Sequence, residues 1–256
     1  MPVDGPVPWE RAEHTGAKHD IYERYLRRWF PILLGGSNAY PSATYAEGFA
    51  GPGIYAGGEP GSPIIAMRAL LETVPSERPI VRFLFIDDDP LCIRSLKNEF
   101  VTVFPQRPRP ADTTPVAFTE GTCIEHLEPQ LDRIGAWGQP ILAVLDSWGN
   151  APIANGLLRR LATNPATEVI VTLGPQSFMR FVSTLGPAAD EVFGGDASWR
   201  QIEHMTDAAA KRQHVLTCYR QTLATAGFRY LLDFELIDRR SESLYPGLRD
   251  QSCTGG

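Results

Sequence analysis

The sequence predicts a doubly wound, mostly parallel α/β sheet, and three observations carry that expectation. Apolar runs of strand length alternate with segments of helical periodicity along most of the chain. One run, Ile141 to Leu145, is continuously apolar, as a strand covered on both faces requires. Glycines or carboxylates follow the strand candidates at Glu47 to Gly53, at Asp87 and at Asp146, where open α/β sheets bind their ligands.

The elements follow in order. From Lys18 to Leu34, Ile21, Tyr25, Trp29 and Ile32 recur at helical spacing, which predicts an amphipathic helix ahead of the first strand. Ala43 to Glu47 is a short strand. Ser62 and Pro63 read as an N-cap and first-turn pair opening a helix through Thr73. Strand Ile80 to Ile86, helix Pro90 to Phe100, strand Val116 to Phe118 and helix Ile124 to Ile134 come next. After Ile141 to Leu145 the pattern gives a helix at Ile153 to Ala162, a strand at Glu168 to Leu173 and helical pieces around Phe178 to Leu185. A helix from Ala208 to Ala226 is ended by Gly227, and a strand runs from Tyr230 to Leu236. The expected organisation is a flexible lead over residues 1–17, one domain over 18–245 and a polar tail over 246–256, with Pro105 to Pro115 as a surface loop.

With 256 residues, 43% of them hydrophobic, the chain has ample material for one large core. A net charge of −6 argues against a protein that coats nucleic acid through bulk positive charge. Cys92, Cys123, Cys218 and Cys253 form no C-x-x-C pair and have no histidine at zinc-ligand spacing, so no metal site is expected. Met1 to Glu10 has three prolines and acidic residues where a signal peptide needs a basic start and an apolar run. No stretch is long and apolar enough for a membrane helix. Together these predict a soluble protein of the reducing cytoplasm, with no membrane partner.

The segment Glu47-Gly48-Phe49-Ala50-Gly51-Pro52-Gly53 is the first candidate site. Glycines let a backbone pass close to a ligand, and a carboxylate at a strand end holds a cationic amine. Gly51 to Ala56 also fits the dinucleotide pattern G-x-G-x-x-A. That reading needs a helix opening directly from the glycines to hold a pyrophosphate, but Gly57, Gly58, Pro60 and Gly61 keep the chain irregular until Ser62. Asp87 also lies farther along than the roughly 20 residues that separate a dinucleotide loop from its ribose carboxylate. A ligand with an adenosine but no pyrophosphate fits better: Asp87 accepts hydrogen bonds from ribose hydroxyls, and Gly48 to Gly53 accommodates an amino-acid moiety. S-adenosylmethionine has that shape. The competing reading makes the glycines a tight surface turn and Asp87, Asp88 and Asp89 a solvated cap for the next helix.

These residues resemble the three-Cys-motif partner proteins, Rossmann-like proteins of S-adenosylmethionine methyltransferase type. The resemblance lies in Lys18-His19-Asp20 with Tyr25-Leu26, in Glu47 to Gly53, and in Glu59-Pro60-Gly61-Ser62-Pro63, and covers Lys18 to Ile237. It implies that Glu47, Gly48, Gly51, Gly53 and Asp87 contact S-adenosylmethionine, with Phe49 in the same loop. It also implies a three-Cys-motif protein as partner. Two features depart from the family. The fourth strand ends Asp146-Ser147-Trp148-Gly149, without the proline expected after the aspartate. Ser243-Leu244-Tyr245 begins a further strand that Pro246 and Gly247 interrupt, so the last strand of a seven-stranded sheet is expected to be missing.

Methyl transfer asks an enzyme to align a nucleophile and manage its proton. Asp146, at a strand end, is placed to hydrogen-bond an amine or hydroxyl, with Trp148 stacking on a planar substrate or lining the sulfonium pocket. This stretch resembles the Asp-Pro-Pro-Tyr type of amino-methylating nucleic-acid enzymes. The alternative makes Asp146 a helix cap and Trp148 a core residue. Thr122 after the third strand is a weak acceptor for an adenine amino group, and Cys123 receives no role. Arg27-Arg28, Arg159-Arg160, Lys211-Arg212 and Arg239-Arg240 are each ordinary solvated pairs or, together, a phosphate track. The expected function is therefore an N- or O-directed methyltransferase acting on a nucleobase within a nucleic-acid substrate. The alternative is a non-catalytic or partner-dependent S-adenosylmethionine-binding subunit.

Overall fold

The computed structural model describes residues 7–74, 79–105, 112–147, 153–237 and 244–245. Trp148, Gly149, Arg239, Arg240 and the whole expected polar tail, Cys253 included, lie outside the described residues.

Five strands form one sheet in the order β3-β2-β1-β4-β5: β1 (Ser42–Glu47), β2 (Ile80–Asp87), β3 (Val116–Glu120), β4 (Ile141–Leu145) and β5 (Glu168–Val171). Strand β1 runs parallel to both β2 and β4, and β2 parallel to β3. The register pairs Glu47 with Phe85 and Val144, and Asp87 with Glu120, so β1 ends beside β4 while β2 and β3 run two residues further and end level with each other. With helices between successive strands, this is a Rossmann-like α/β fold, and the order reverses beside β1 as in dinucleotide and adenosyl folds. All six β1 residues are buried, which places it at the centre of the sheet.

The chain packs as two compact units, Met1–Leu145 with Asn164–Ile170, and Asp146–Thr163 with Val171–Gly256. In the first, helix α1 (Glu13–Leu34) buries Tyr22, Leu26, Trp29 and Phe30 at spacings of three and four against helix α2 (Ser62–Thr73) and one face of the sheet. Phe30, Tyr45, Phe83 and Phe85 line that face with ring centroids 5.8–6.3 Å apart. Helix α3 (Pro90–Val103) adds Phe100 on the Phe85 and Phe118 rings, and helix α4 (Cys123–Arg133) buries Leu127 and Leu131. Each such side chain contributes about 1.5–3 kcal/mol of burial.

The second unit contains α5 (Asn155–Thr163), α6 (Pro175–Phe181), two 3₁₀ helices (Pro187–Phe193 and Ala197–His204) and α7 (Ala208–Ala226). Phe178, Phe193, Trp199 and Tyr219 form its aromatic centre. Arg200 donates to Asp190 at 2.7 Å and to the carbonyls of Val182, Leu185 and Gly186 at 2.8–3.1 Å. Gly227, at φ +118°, ends α7 in the left-handed region, where glycine carries no Cβ penalty.

Three expectations are corrected. Helix α1 begins at Glu13, five residues before Lys18, because its first turn contains Gly16 and exposed Glu13 and Ala17 and so shows no apolar period. The N-cap of α2 is Gly61, not Ser62; Ser62 occupies the first helical position and its hydroxyl is used elsewhere. The segment Tyr230 to Leu236 is not a strand of the five-stranded sheet. Asp233 and Glu235 form ion pairs with Arg220 and Arg212 of α7, while Tyr230, Leu232 and Phe234 face solvent. Phe234 is an isolated bridge residue, and β6 (Leu236–Ile237) pairs antiparallel with β7 (Leu244–Tyr245).

Candidate functional site

Glu47 closes β1 with 2% of its surface exposed. Tyr45, two residues earlier and so on the same face of the strand, donates its hydroxyl to Oε1 at 2.7 Å. Ser62 donates to Oε2 at 2.6 Å. A buried carboxylate demands such partners, and here they fix the end of β1 to the first turn of α2.

The chain then passes through Gly48, whose amide continues the ladder to the Val144 carbonyl at 3.0 Å. A Cβ on Gly48 would stand 2.4 Å from Cys123 Sγ. Phe49 is half-buried. The Ala50 amide bonds the Ile86 carbonyl at 2.9 Å, and the Gly51 amide bonds Asp87 Oδ2 at 2.7 Å. Gly53, at φ +77°, accepts the Gly61 amide at 2.7 Å, closing the loop on itself before α2 starts. A Cβ on Gly53 would meet Leu96 Cδ1 at 2.4 Å. Gly48 and Gly53 are thus fixed by the protein's own packing, whereas a Cβ on Gly51 would meet nothing closer than Trp9 at 4.0 Å.

Asp87 ends β2 half-buried. Its Oδ1 accepts the Asp89 amide at 3.0 Å while Oδ2 takes Gly51. Burial pushes its pKa above the ordinary value, the two amides pull it down, and Asp88 and Asp89 push it up. The Cys92 thiol also interacts with this side chain, and since a carboxylate has about four acceptor positions, room for a further donor remains. Asp89 caps α3 by accepting the Leu91 amide at 2.8 Å. The three acidic residues are therefore differentiated: one is a cap, one is exposed, and Asp87 joins two strand ends.

At the end of β3, Gly121 donates to the Asp87 carbonyl at 2.9 Å and has φ +136°. The ring of His126 covers it, 2.2 Å from where a Cβ would stand. Thr122 is the N-cap of α4: its hydroxyl accepts the Glu125 amide at 3.3 Å and donates to Glu125 Oε2 at 2.8 Å. Cys123 is buried, and burial pushes its thiol up to about 12, which makes it a poor nucleophile.

Lys18 and His19 fall in the second turn of α1, not at its start. His19 is 5% exposed, with its ring 5.7 Å from Tyr55 of the glycine loop. The N-terminal lead reaches the same loop: the Ala56 amide donates to the Trp9 carbonyl at 2.9 Å. Trp9 and His126 are neighbours of the strand ends that pattern reading missed. The available signal was an indole in a proline-rich lead with no periodic element to bury it.

Asp146 directly follows β4 and is half-buried; Ser147 is buried. Among the basic pairs, Arg27 is held by Glu23 and Glu72, and Arg212 by Glu235, which removes both from a free phosphate track. The second unit has an open cleft of about 160 Å³ beside Asn155, Arg159 and Cys218. That is below the roughly 300 Å³ at which ligand pockets for drug-sized molecules begin. No metal-type cluster of His, Cys, Asp or Glu occurs among the described residues, and none of their helices is long and apolar enough to cross a membrane.

The strand order and the neighbouring strand ends define the class: a Rossmann-like α/β protein with a glycine loop and a carboxylate at its switch point. No protein-family profile matches the chain, and no curated protein is significantly similar to it. A solved structure described as DszA carbon methyltransferase overlays with a TM-score of 0.48 at 11% identity, covering 93% of this chain and 54% of that one. The chain thus spans about half the length of that structure.

Proposed function

We propose that the chain is an S-adenosylmethionine-dependent methyltransferase directed at nitrogen or oxygen, with a nucleobase as target, of the kind its likeness to the three-Cys-motif partner proteins suggests. The observation that carries this reading is the Asp87 carboxylate, bonded to Gly51 at the end of β2 with acceptor capacity left for a further donor. The residues fit an adenosyl amino acid. Asp87 accepts from the ribose hydroxyls, Gly51 leaves open the space a side chain would fill, and the buried Glu47 supplies negative charge for an ammonium group. Thr122 and His126 flank the adenine end. No helix opens directly from the glycines in sequence, since α2 starts at Ser62, although its N-cap Gly61 stands against Gly53 in the folded loop; NAD is therefore the competing ligand to test.

The bound sulfonium supplies an already activated methyl group. What this chain adds is orientation and a carboxylate, Asp146, to hold the proton of the attacking amine or hydroxyl, with Trp148 as the stacking surface. Calorimetry of S-adenosylmethionine against NAD on the purified chain tests the cofactor. Binding of the first, lost in Asp87→Ala, is expected; preference for NAD would end the reading. Asp146→Ala is expected to keep binding and lose turnover.

A second reading, a partner-dependent subunit working with a three-Cys-motif protein, is favoured by the exposed Tyr230, Leu232 and Phe234, at 92%, 64% and 48% exposure. A purified monomer that turns over substrate alone would remove it.

A further inference from the structure

The N-terminal lead is pinned onto the glycine loop by contacts of different kinds. The Trp9 carbonyl accepts the Ala56 amide at 2.9 Å, Arg11 stands 3.5 Å from Glu59, and Trp9 Cζ2 lies 4.0 Å from the position of a Gly51 side chain. The ion pair is largely solvated and adds little. The amide bond and the indole therefore define the position of the lead.

Gly51 lies between the lead and the Asp87 carboxylate. Its amide points to the Asp87 carboxylate at 2.7 Å, and its missing side chain points to the indole. The carboxylate and the indole thus flank a single residue. The two tryptophans that serve the hydrophobic cores, Trp29 and Trp199, are 3% and 0% exposed, whereas Trp9 is only half-buried. An indole kept partly open beside a carboxylate with spare acceptors is arranged as a wall of a site.

Resting on the methyltransferase reading above, we infer that Trp9 is a wall of the cofactor site and that its indole selects the sulfonium cation over the neutral thioether left after transfer. In S-adenosylmethionine the sulfur is one methylene from the ribose ring. The sulfur thus lies about one ribose width from the hydroxyls that Asp87 accepts, and Trp9 borders Gly51, the residue bonded to that carboxylate. Tryptophan presents the strongest ring face for a cation, and a partly desolvated site strengthens the attraction. The thioether has no charge to attract, so Trp9 favours substrate binding and product release together.

The test is calorimetric titration of S-adenosylmethionine and S-adenosylhomocysteine into the wild-type chain, Trp9→Leu and Trp9→Phe, with thermal melting to verify folding. Trp9→Leu is expected to weaken S-adenosylmethionine by on the order of tenfold while S-adenosylhomocysteine changes by less than about twofold, and Trp9→Phe to fall between. Equal weakening of both ligands, which a merely structural indole predicts, overturns the inference, as does no change in either. Should Trp9→Leu fail to fold, the same ratio is read on Trp9→Phe, where an unchanged value is decisive against it. A wild-type chain that binds neither ligand defeats the methyltransferase reading itself, and that titration precedes every variant.

Discussion

Asp87 Oδ2 accepts the Gly51 amide at 2.7 Å, which ties the end of β2 to the glycine loop after β1. Because Oδ1 is also held, by the Asp89 amide, the carboxylate is oriented before any ligand arrives. Preorganisation of this kind lowers the ordering cost of binding. Asp87→Asn keeps the size of the side chain but exchanges one acceptor for a donor, which then faces an amide N–H. Hydrogen bonds to a charged group are worth about 1.5–3 kcal/mol, so adenosyl-ligand affinity is expected to fall by roughly ten- to a hundredfold. Calorimetry on the variant checks this, and unchanged affinity would remove Asp87 from the site.

Glu47 makes a different prediction because both its oxygens serve the protein. In Glu47→Ala the hydroxyls of Tyr45 and Ser62 lose their acceptor in a buried place, at a cost of about 2–4 kcal/mol. Glu47→Gln keeps one acceptor, and either hydroxyl can turn to accept from the new amide, so a loss near 1 kcal/mol is expected. Urea unfolding of the two variants measures the difference. Equal losses would mean that the charge, not the hydrogen-bond pattern, secures the strand end.

The loop glycines should separate by what surrounds them. Gly53→Ala combines a backbone at φ +77° with a Cβ 2.4 Å from fully buried Leu96, and strain plus overpacking is expected to cost about 2–4 kcal/mol. Gly51→Ala has a similar φ, +65°, but open space, so only the backbone cost of about 1–2 kcal/mol is expected. Ligand affinity should show the reverse order, since the added methyl group of Gly51→Ala enters the proposed site. Paired melting curves and titrations read both orders.

Much of the fold was legible where local pattern and tertiary role agree. The bounds of β4 and α7, and the placing of a carboxylate after β2 and of glycines after β1, follow from period and strand-end logic alone. Ser62 shows where that logic stops. Its residue type predicts a cap, but a buried Glu47 needs a donor, and only the folded loop brings the two together. Tyr230 to Leu236 alternates as a strand does, yet the same alternation suits a segment held to α7 by Asp233 and Glu235. The 3₁₀ helices were unreadable because their apolar residues, Phe193, Trp199 and Ile202, have no lasting period.

Arg200 organises the 3₁₀ region of the second unit. Its guanidinium satisfies Asp190 and three carbonyls and lies 4.6 Å over the Trp199 ring. Arg200→Lys retains the charge but not the planar fork, and leaves carbonyls without donors. A loss of about 2–3 kcal/mol in urea unfolding is expected. A loss equal to that of a surface substitution would show that water replaces the fork without cost.

The ionisation of Asp87 sets stability and binding in opposition. Burial raises its folded-state pKa above 3.8, outweighing the pull of the Gly51 and Asp89 amides. For a carboxylate raised in this way, the stability linked to the protonated form is complete below the unfolded value and is lost as pH rises through the folded value. The wild-type chain should therefore lose stability relative to Asp87→Asn, which does not titrate, between about pH 4 and the raised pKa. Ribose hydroxyls donate best to the ionised carboxylate, so ligand affinity should rise across the same window. Urea midpoints of both proteins, and titrations of the wild type, at about pH 4 and about pH 7 measure the two trends. If the stability gap stays constant, the amide bonds and not burial control Asp87. If the gap closes while affinity rises, the carboxylate is held ionised for its ligand at the expense of the fold.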